Sequence, residues 1–485
     1  MTNFLSIDQG TTSSRAVIYN EDDIAIYDSQ KEYSLDFPND GWVEADPSTL
    51  LQTVNHCLDD VLREKNIDII SCGITNQRET TIVWSKDSGI PIYPAIVWQD
   101  RRTNDLCESM RSIKIDNLIK EKTGLILDPY FSATKIKWIL DNVDGARKKA
   151  ENGELLFGTV DTFLIYNLTS EKNHFTDITN ASRTMLFNIV EKKWDEELLK
   201  LFDIPISMMP KVKSCDAYYG MIKKNDKKIP INGVIGDQQS ALVGQGCFQK
   251  GDIKSTYGTG CFLIVNTGDE VINVKEGLLT TIGYELNNEV CYALEGSIYS
   301  CGTLVKWLRD KMKLFNKASE SENFMYKNWN SNNVLFLPAL NGMGAPYWNS
   351  EIRGGFYGIT QSSSKNDLIT AVFKSICFQT LDIVKIFKKY DISINQLAID
   401  GGMVNNKSFC QMLSDIIQTD VFRPTNSEST ALGACKVAKI GSGLNFKDEI
   451  IDGTKYCPNK SLKSIQNEDF SKWVNYIDRS IKSIK

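Results

Sequence analysis

Two turns rich in glycine and threonine, each set between apolar and partly β-branched runs, constrain this 485-residue chain more than any other feature. The first joins Phe4-Leu5-Ser6-Ile7 to Arg15-Ala16-Val17-Ile18-Tyr19. The second, Tyr257-Gly258-Thr259-Gly260, joins Ile253-Lys254-Ser255-Thr256 to Cys261-Phe262-Leu263-Ile264-Val265. Strand, turn and strand read as a hairpin, not as a strand feeding a helix. Its return roughly 250 residues later points to a duplicated domain. The break is expected around Gly246 to Asp252, which divides the chain into domains 1–250 and 251–485.

Helical and strand patterns alternate in both halves, so the fold class is α/β. Helical faces occur at Leu50, Leu51, Val54, Leu58 and Val61, from Tyr299 to Phe315, and from Leu368 to Phe387. Strand-like runs occur at Ile69-Ile70, Ile82-Val83-Trp84, Val334 to Leu337 and Leu397-Ala398-Ile399. Ser461 to Lys485 reads as a closing helix.

Composition removes several functions. With 55 basic and 61 acidic residues the net charge is −6, and the basic clusters Lys223-Lys224 and Lys227-Lys228 are short. That argues against nucleic-acid binding. No apolar run approaches the ~20 residues of a membrane span, and the first ten residues do not resemble a signal peptide. The expected location is therefore the cytoplasm, with no membrane insertion. Twelve cysteines form no C-x-x-C pair, so zinc ribbons and thioredoxin-like sites find no support. Only His56, in a helical pattern, and His174, among loop-like residues, are present. Neither suits a Ser-His-Asp triad, a HExxH metal site or a protein-kinase HRD loop. An enzyme built on this chain is expected to use a carboxylate base.

Neither GxxxxGK[ST] nor a GxGxxG between strand and helix occurs. The candidate phosphate loop is DQGTTSSR, from Asp8 to Arg15. Gly10 admits a close ligand, turn amides face anions, Thr11, Thr12 and Ser13 add hydroxyls, and Arg15 adds charge. Asp8 would repel phosphate unless magnesium or its waters lay between them. A plain hairpin turn explains the same spacing. Tyr257 to Gly260 and Asp400-Gly401-Gly402 are further turns of this kind. Gly236-Asp237-Gln238-Gln239 follows the strand Gly233-Val234-Ile235 and opens a helix, so Asp237 either caps that helix or serves as a base in a cleft. Arg78 and Glu79, adjacent in GITNQRETT, are either surface charges or a donor fork and acceptor for neighbouring polyol hydroxyls.

Eleven segments in order resemble the glycerol kinases of the FGGY carbohydrate-kinase family. They are DQGTTSSR, GITNQRETTIVW, AIVWQDRR, DPYFSATKIKWIL, LLFGTVDTFLI, TNASRTMLFNI, GDQQSALVGQ, STYGTGCF, YALEGS, GAPYW and DGGMVNN, and the match as a whole runs from Asp8 to about Trp473. The resemblance implies two ribonuclease-H-like domains, of the kind found in actin, hexokinase and the Hsp70 chaperones, flanking a catalytic cleft. It implies ATP-dependent phosphorylation of glycerol to sn-glycerol 3-phosphate in glycerol catabolism, with Asp237 as general base. Glycerol contacts would be Arg78, Glu79, Tyr130, Asp237 and Gln238, with Trp98 and Phe262 as apolar walls. Nucleotide contacts would fall on Thr11, Thr12, Ser13, Arg15, Thr259, Gly302, Gly402 and Asn406. Mg2+ would lie near Asp8 and Asp237, largely through water, and a homodimer or homotetramer is expected.

Two departures from the family pattern stand out. Lys306 occupies a nucleotide-side position where many members carry glutamine. Gly220 to Ile231 (GMIKKNDKKIPI) lacks the glycine-rich, arginine-bearing loop with which one bacterial group binds fructose 1,6-bisphosphate, and both histidines lie outside the region that another group phosphorylates. Insensitivity to both signals is the expectation.

Overall fold

The structure is a computed structural model and describes residues 2–484 except 64–66, 327–328, 350, 427 and 445–451. The first sheet comprises β1 (Asn3–Gln9), β2 (Ser13–Asn20), β3 (Ala25–Glu32), β4 (Ile69–Asn76), β5 (Gly220–Lys224) and β6 (Lys227–Gly236), in the order β5-β6-β4-β1-β2-β3. β1 to β3 are antiparallel neighbours, whereas β4 runs parallel to β1 and β6 parallel to β4.

The second sheet comprises β7 (Ile253–Tyr257), β8 (Cys261–Gly268), β9 (Leu279–Leu286), β10 (Glu289–Ile298), β11 (Gln396–Asp400), β12 (Asp420–Pro424) and β13 (Gly453–Tyr456), ordered β9-β10-β8-β7-β11-β12-β13. β7 and β8 form the expected hairpin, β10 pairs antiparallel with β8, and β11 and β12 add in parallel. The five strands β1, β2, β3, β4 and β6 therefore correspond to β7, β8, β10, β11 and β12. This is a duplicated, actin-like α/β fold.

β1 is buried on both faces, which is why apolar residues occur on both, Phe4 on one and Leu5 and Ile7 on the other. Leu5 and Ile7 pack on α1 (Pro47–Val61) through Leu50, Val54, Cys57 and Leu58. Asp46 starts that helix by accepting the amides of Ser48 and Thr49, and Pro47 presets its first turn. Phe4, Val17 and Tyr19 meet a helix from the far end of the chain instead.

Further helices are α2 (Asp237–Gly244), α3 (Gly302–Asp310), α4 (Lys365–Lys389), α5 (Lys407–Ile417), α6 (Ser429–Gly441) and α7 (Lys463–Ile484). α2 and α6 cross where the two halves meet, and glycines let their backbones touch. A Cβ on Gly433 would sit 1.8 Å from the Ser240 carbonyl oxygen, and one on Gly244 would sit 1.9 Å from that of Ser429. α6 also lies on β4, where a Cβ on Gly73 would come within 2.0 Å of the Ala434 carbonyl oxygen. A helix from the second half thus covers the first sheet and joins the halves along one seam.

The apolar pattern from Tyr299 to Phe315 yields a helix only over Gly302–Asp310. Its start is fixed by the Gly302 amide on the Gly258 carbonyl, and the left-handed Lys313 follows its end. His56 pairs with Asp60 at 3.2 Å on α1. His174 lies against the Phe157 carbonyl at 2.7 Å, and burial lowers its pKa to about 4, so it is a neutral structural group. Among the described residues no helix is long and apolar enough to cross a membrane.

Candidate active site

Both hairpin turns open on one cleft. The first is closed by the Gly10 amide donating to the Ser13 carbonyl at 2.9 Å. Gln9 Nε2, Tyr33 OH and Gln77 Nε2 donate to the Gly10 carbonyl at 2.7, 2.8 and 3.1 Å, which holds the turn from below. Trp98 Nε1 donates to Thr11 Oγ1 at 3.0 Å, Thr12 is exposed, and Ser13 Oγ accepts from Gln30 at 3.1 Å. Arg15 is engaged by two carboxylates, Asp28 at 3.0 Å and Glu428 at 2.5 Å. A phosphate reaching this guanidinium must therefore compete with Glu428. Asp8 has its pKa raised to about 7 by burial and by Asp237 and Glu428, with Arg15 opposing.

The second turn is locked to α3. The Gly258 carbonyl accepts the Gly302 amide at 2.9 Å, and the Thr259 carbonyl accepts those of Cys301 and Thr303 at 3.2 Å each. A Cβ on Gly302 would meet Gly258 O at 2.4 Å, so only glycine permits this closeness. At Gly402, by contrast, a Cβ meets nothing within 4 Å, which leaves open space beside the third turn. Asn406 caps α5 by accepting the Phe409 amide at 2.9 Å. Lys306 is exposed on α3.

At the base of the cleft β4 runs out into Arg78 and Glu79, both buried. Glu79 adopts a left-handed φ of 58°, a conformation that costs an ordinary residue about 1–2 kcal/mol. Its carbonyl is held by the hydroxyls of Ser132 at 3.0 Å and Thr81 at 3.1 Å. Two residues from distant segments complete a buried ion network. Glu295 on β10 accepts from Arg78 at 2.6 and 3.2 Å and from Arg183 at 3.0 Å, and Arg183 Nε reaches Glu79 at 2.6 Å. Burial would raise the Glu295 pKa, yet Arg183 and Arg78 bring it down to about 2. Arg183 also lies over the rings of Tyr130 and Phe131, at 5.6 and 5.3 Å.

β6 delivers Asp237 as the first residue of α2, directly after Gly236. A Cβ on Gly236 would lie 2.9 Å from the Arg78 side chain. Asp237 is not the helix N-cap, a place that falls to Gly236. Its Oδ1 accepts both the Gln238 amide at 2.6 Å and Arg78 Nε at 3.2 Å, which leaves Oδ2 for another partner. Burial pushes the Asp237 pKa up, and Arg78 and Lys254 pull it back. The side chain keeps 28% exposure to the cleft.

A cavity of about 190 Å³ brings together Arg78, Glu79, Trp98, Tyr130, Asp237, Gln238 and Phe262 with Thr11 and Thr259. Trp98 and Phe262 meet edge to face along its wall, with ring centroids 6.1 Å apart and planes at 75°. Asp8, Thr12, Ser13, Arg15, Gly302, Gly402 and Asn406 do not line this cavity. Sequence reasoning missed Arg183, Lys254 and Glu295, although each lies within or beside a segment quoted above.

Among the described residues no three His, Cys, Asp or Glu side chains group into a metal cage. The carboxylates of Asp8 and Asp237 nonetheless suit a hard cation that keeps most of its waters. Burial is the main reason the Asp8 pKa is high, and the neighbouring carboxylates Asp237 and Glu428 add to it, a repulsion such a cation would relieve.

Residues 3–244 match the N-terminal domain of the FGGY family of carbohydrate kinases, and residues 253–441 match its C-terminal domain. A glycerol kinase of Marinomonas sp. is 49% identical over 92% of this chain and 91% of its own. The crystal structure of Plasmodium falciparum glycerol kinase with ADP superposes with a TM-score of 0.92 at 36% identity, covering 99% of this chain and 98% of that one. A xylulose kinase from Lactobacillus acidophilus shares the fold, with a TM-score of 0.89 at 21% identity over 99% and 98% of the two chains.

Proposed function

Because the chain belongs to the FGGY family of carbohydrate kinases, we propose that its cleft transfers the γ-phosphoryl group of ATP to glycerol, giving sn-glycerol 3-phosphate. The observation that carries this reading is the convergence of Arg78, Glu79, Tyr130, Asp237 and Gln238 on one small cavity beside both phosphate turns. At about 190 Å³ it lies below the ~300–1,000 Å³ of sites for larger ligands. A three-carbon triol needs a few oriented polar groups and a small apolar surface, and Trp98 with Phe262 supplies that apolar wall.

Asp237 Oδ2 accepts the proton of a terminal hydroxyl as that oxygen attacks the γ-phosphorus in line and ADP departs. Arg78 donates to substrate oxygens and Glu79 accepts from a hydroxyl, while Glu295 and Arg183 keep both side chains in place. Thr11, Thr12, Ser13 and Arg15 receive phosphate oxygens, and Thr259, Gly302, Gly402 and Asn406 border the rest of the nucleotide. Asp8 and Asp237 would hold Mg2+ largely through water, and the ion when bound supplies neutralising charge on the phosphates. Closure of the cleft excludes water from the transferring group. Division at 250/251, cytoplasmic residence, a role in glycerol catabolism and assembly as a homodimer or homotetramer belong to the same reading.

The test is a coupled assay for ADP release with glycerol, dihydroxyacetone and xylulose, with the product identified by NMR. Glycerol is expected to give the highest kcat/KM, and a preference for xylulose would overturn the reading.

A further inference from the structure

We propose that Lys254 is a positioning residue of the polyol site, holding the Gln238 carboxamide by its oxygen so that only N–H groups are offered to the substrate. The inference rests on the glycerol reading above. Lys254 stands in β7, the strand that leads into the second turn. Side chains alternate along it, with Ile253 and Tyr257 in the core of the second half and Lys254 and Thr256 on the opposite face.

Lys254 is completely buried. An ammonium in such a place is costly unless it is well partnered. Its Nζ donates to Gln238 Oε1 at 2.5 Å and to Thr256 Oγ1 at 3.0 Å. Burial lowers its pKa, and the nearby carboxylates Asp400 and Asp237 oppose that by favouring the ammonium. An ammonium has donors and no acceptor, so the Gln238 atom that meets it must be the oxygen. The Gln238 nitrogen then occupies the other arm of the amide, and Gln238 itself lines the cavity. Gln238 is therefore a donor alone, while Glu79 and Asp237 are the acceptors. That division separates the groups that receive hydroxyl protons from those that meet hydroxyl oxygens. Lys254 comes from the second half of the chain and Gln238 opens the helix at the seam, so the contact also ties the polyol site to the way the halves meet.

The experiment is a double-mutant cycle on the full chain with Lys254→Met and Gln238→Ala, measuring KM for glycerol, KM for ATP, kcat and Tm. Lys254→Met is expected to raise the KM for glycerol roughly tenfold or more, as for a lost substrate hydrogen bond, while the KM for ATP stays within about twofold. In the Gln238→Ala background it is expected to add nothing further to the KM for glycerol. If Lys254→Met does not fold, Gln238→Glu decides the matter. A carboxylate of the same size still pairs with Lys254 but has no N–H to offer, so KM for glycerol rises as in Gln238→Ala. Additive effects in the cycle, or a Gln238→Glu enzyme with unchanged KM, would overturn the proposal. A wild-type chain that does not phosphorylate glycerol would refute the function reading instead, and the cycle would then run on whichever of dihydroxyacetone and xylulose it turns over.

Discussion

Replacing Glu295 by glutamine removes one charge from the ion network under the polyol site without changing its volume. The carboxylate is fully buried and receives Arg78 at 2.6 and 3.2 Å, Arg183 at 3.0 Å and Ser297 Oγ at 3.0 Å. Its pKa stands at about 2 in the folded chain, against an ordinary 4.5. The folded value is the lower one, so ionisation stabilises the fold fully above 4.5, and the contribution is lost as pH falls from 4.5 through about 2. At about 1.4 kcal/mol for each pH unit, this amounts to about 3 kcal/mol at neutral pH. Breaking a buried pair on one side costs about 3–5 kcal/mol, which agrees. Domains of ~150–250 residues lose about 2–4 °C per kcal/mol, so Glu295→Gln is expected to lower Tm by about 6–12 °C in calorimetry at pH 7. The KM for glycerol is expected to rise as well, because Arg78 loses the bidentate partner that aims it. A Tm within about 2 °C of wild type would show that the network contributes little and that the reasoning from burial is wrong.

Removing the side chain of Arg78 or Glu79 leaves partners unsatisfied in a closed pocket and is expected to weaken glycerol binding by about 1–3 kcal/mol each. ATP binding is expected to change little, and calorimetry with each ligand separately checks the division. Fructose 1,6-bisphosphate is expected to leave activity unchanged at physiological salt. The stretch where a regulatory loop would lie is the hairpin of β5 and β6, with Lys224 held by Asn55 at 2.9 Å and Asp59 at 3.2 Å and Lys227 donating to the Ile67 carbonyl at 2.7 Å. Strong saturable inhibition in a titration would contradict this.

The two hairpins were legible because glycine-threonine turns between apolar runs leave few other local structures. That Arg78, Glu79, Tyr130, Asp237 and Gln238 meet in one cavity was legible chiefly through the resemblance, since adjacency alone left Arg78 and Glu79 open to a surface role. Glu295, Arg183 and Lys254 were not legible. A single charge in a strand or near a helix end usually points to water, and what buries these three are contacts such as Glu295 to Arg78, 217 positions away in the chain. Lys254 did leave a trace, as the one charged residue in the strand Ile253–Tyr257. The helix expected from Tyr299 to Phe315 ran long because no glycine or proline marks its end, and its start depends on a tertiary bond to Gly258. The position of α6 on the first sheet was equally hidden, because the glycines that allow it, Gly73 and Gly433, lie in segments far apart in sequence.

Whether Asp237 takes the proton from glycerol in this cleft is decided by ADP release from wild type and Asp237→Asn at saturating glycerol and ATP. The amide keeps the shape and can still hydrogen-bond, but it cannot accept the proton. In Asp237→Asn, kcat is expected to fall by roughly 10²–10⁴-fold while KM for glycerol changes far less. A variant with near-normal kcat would contradict that role for Asp237.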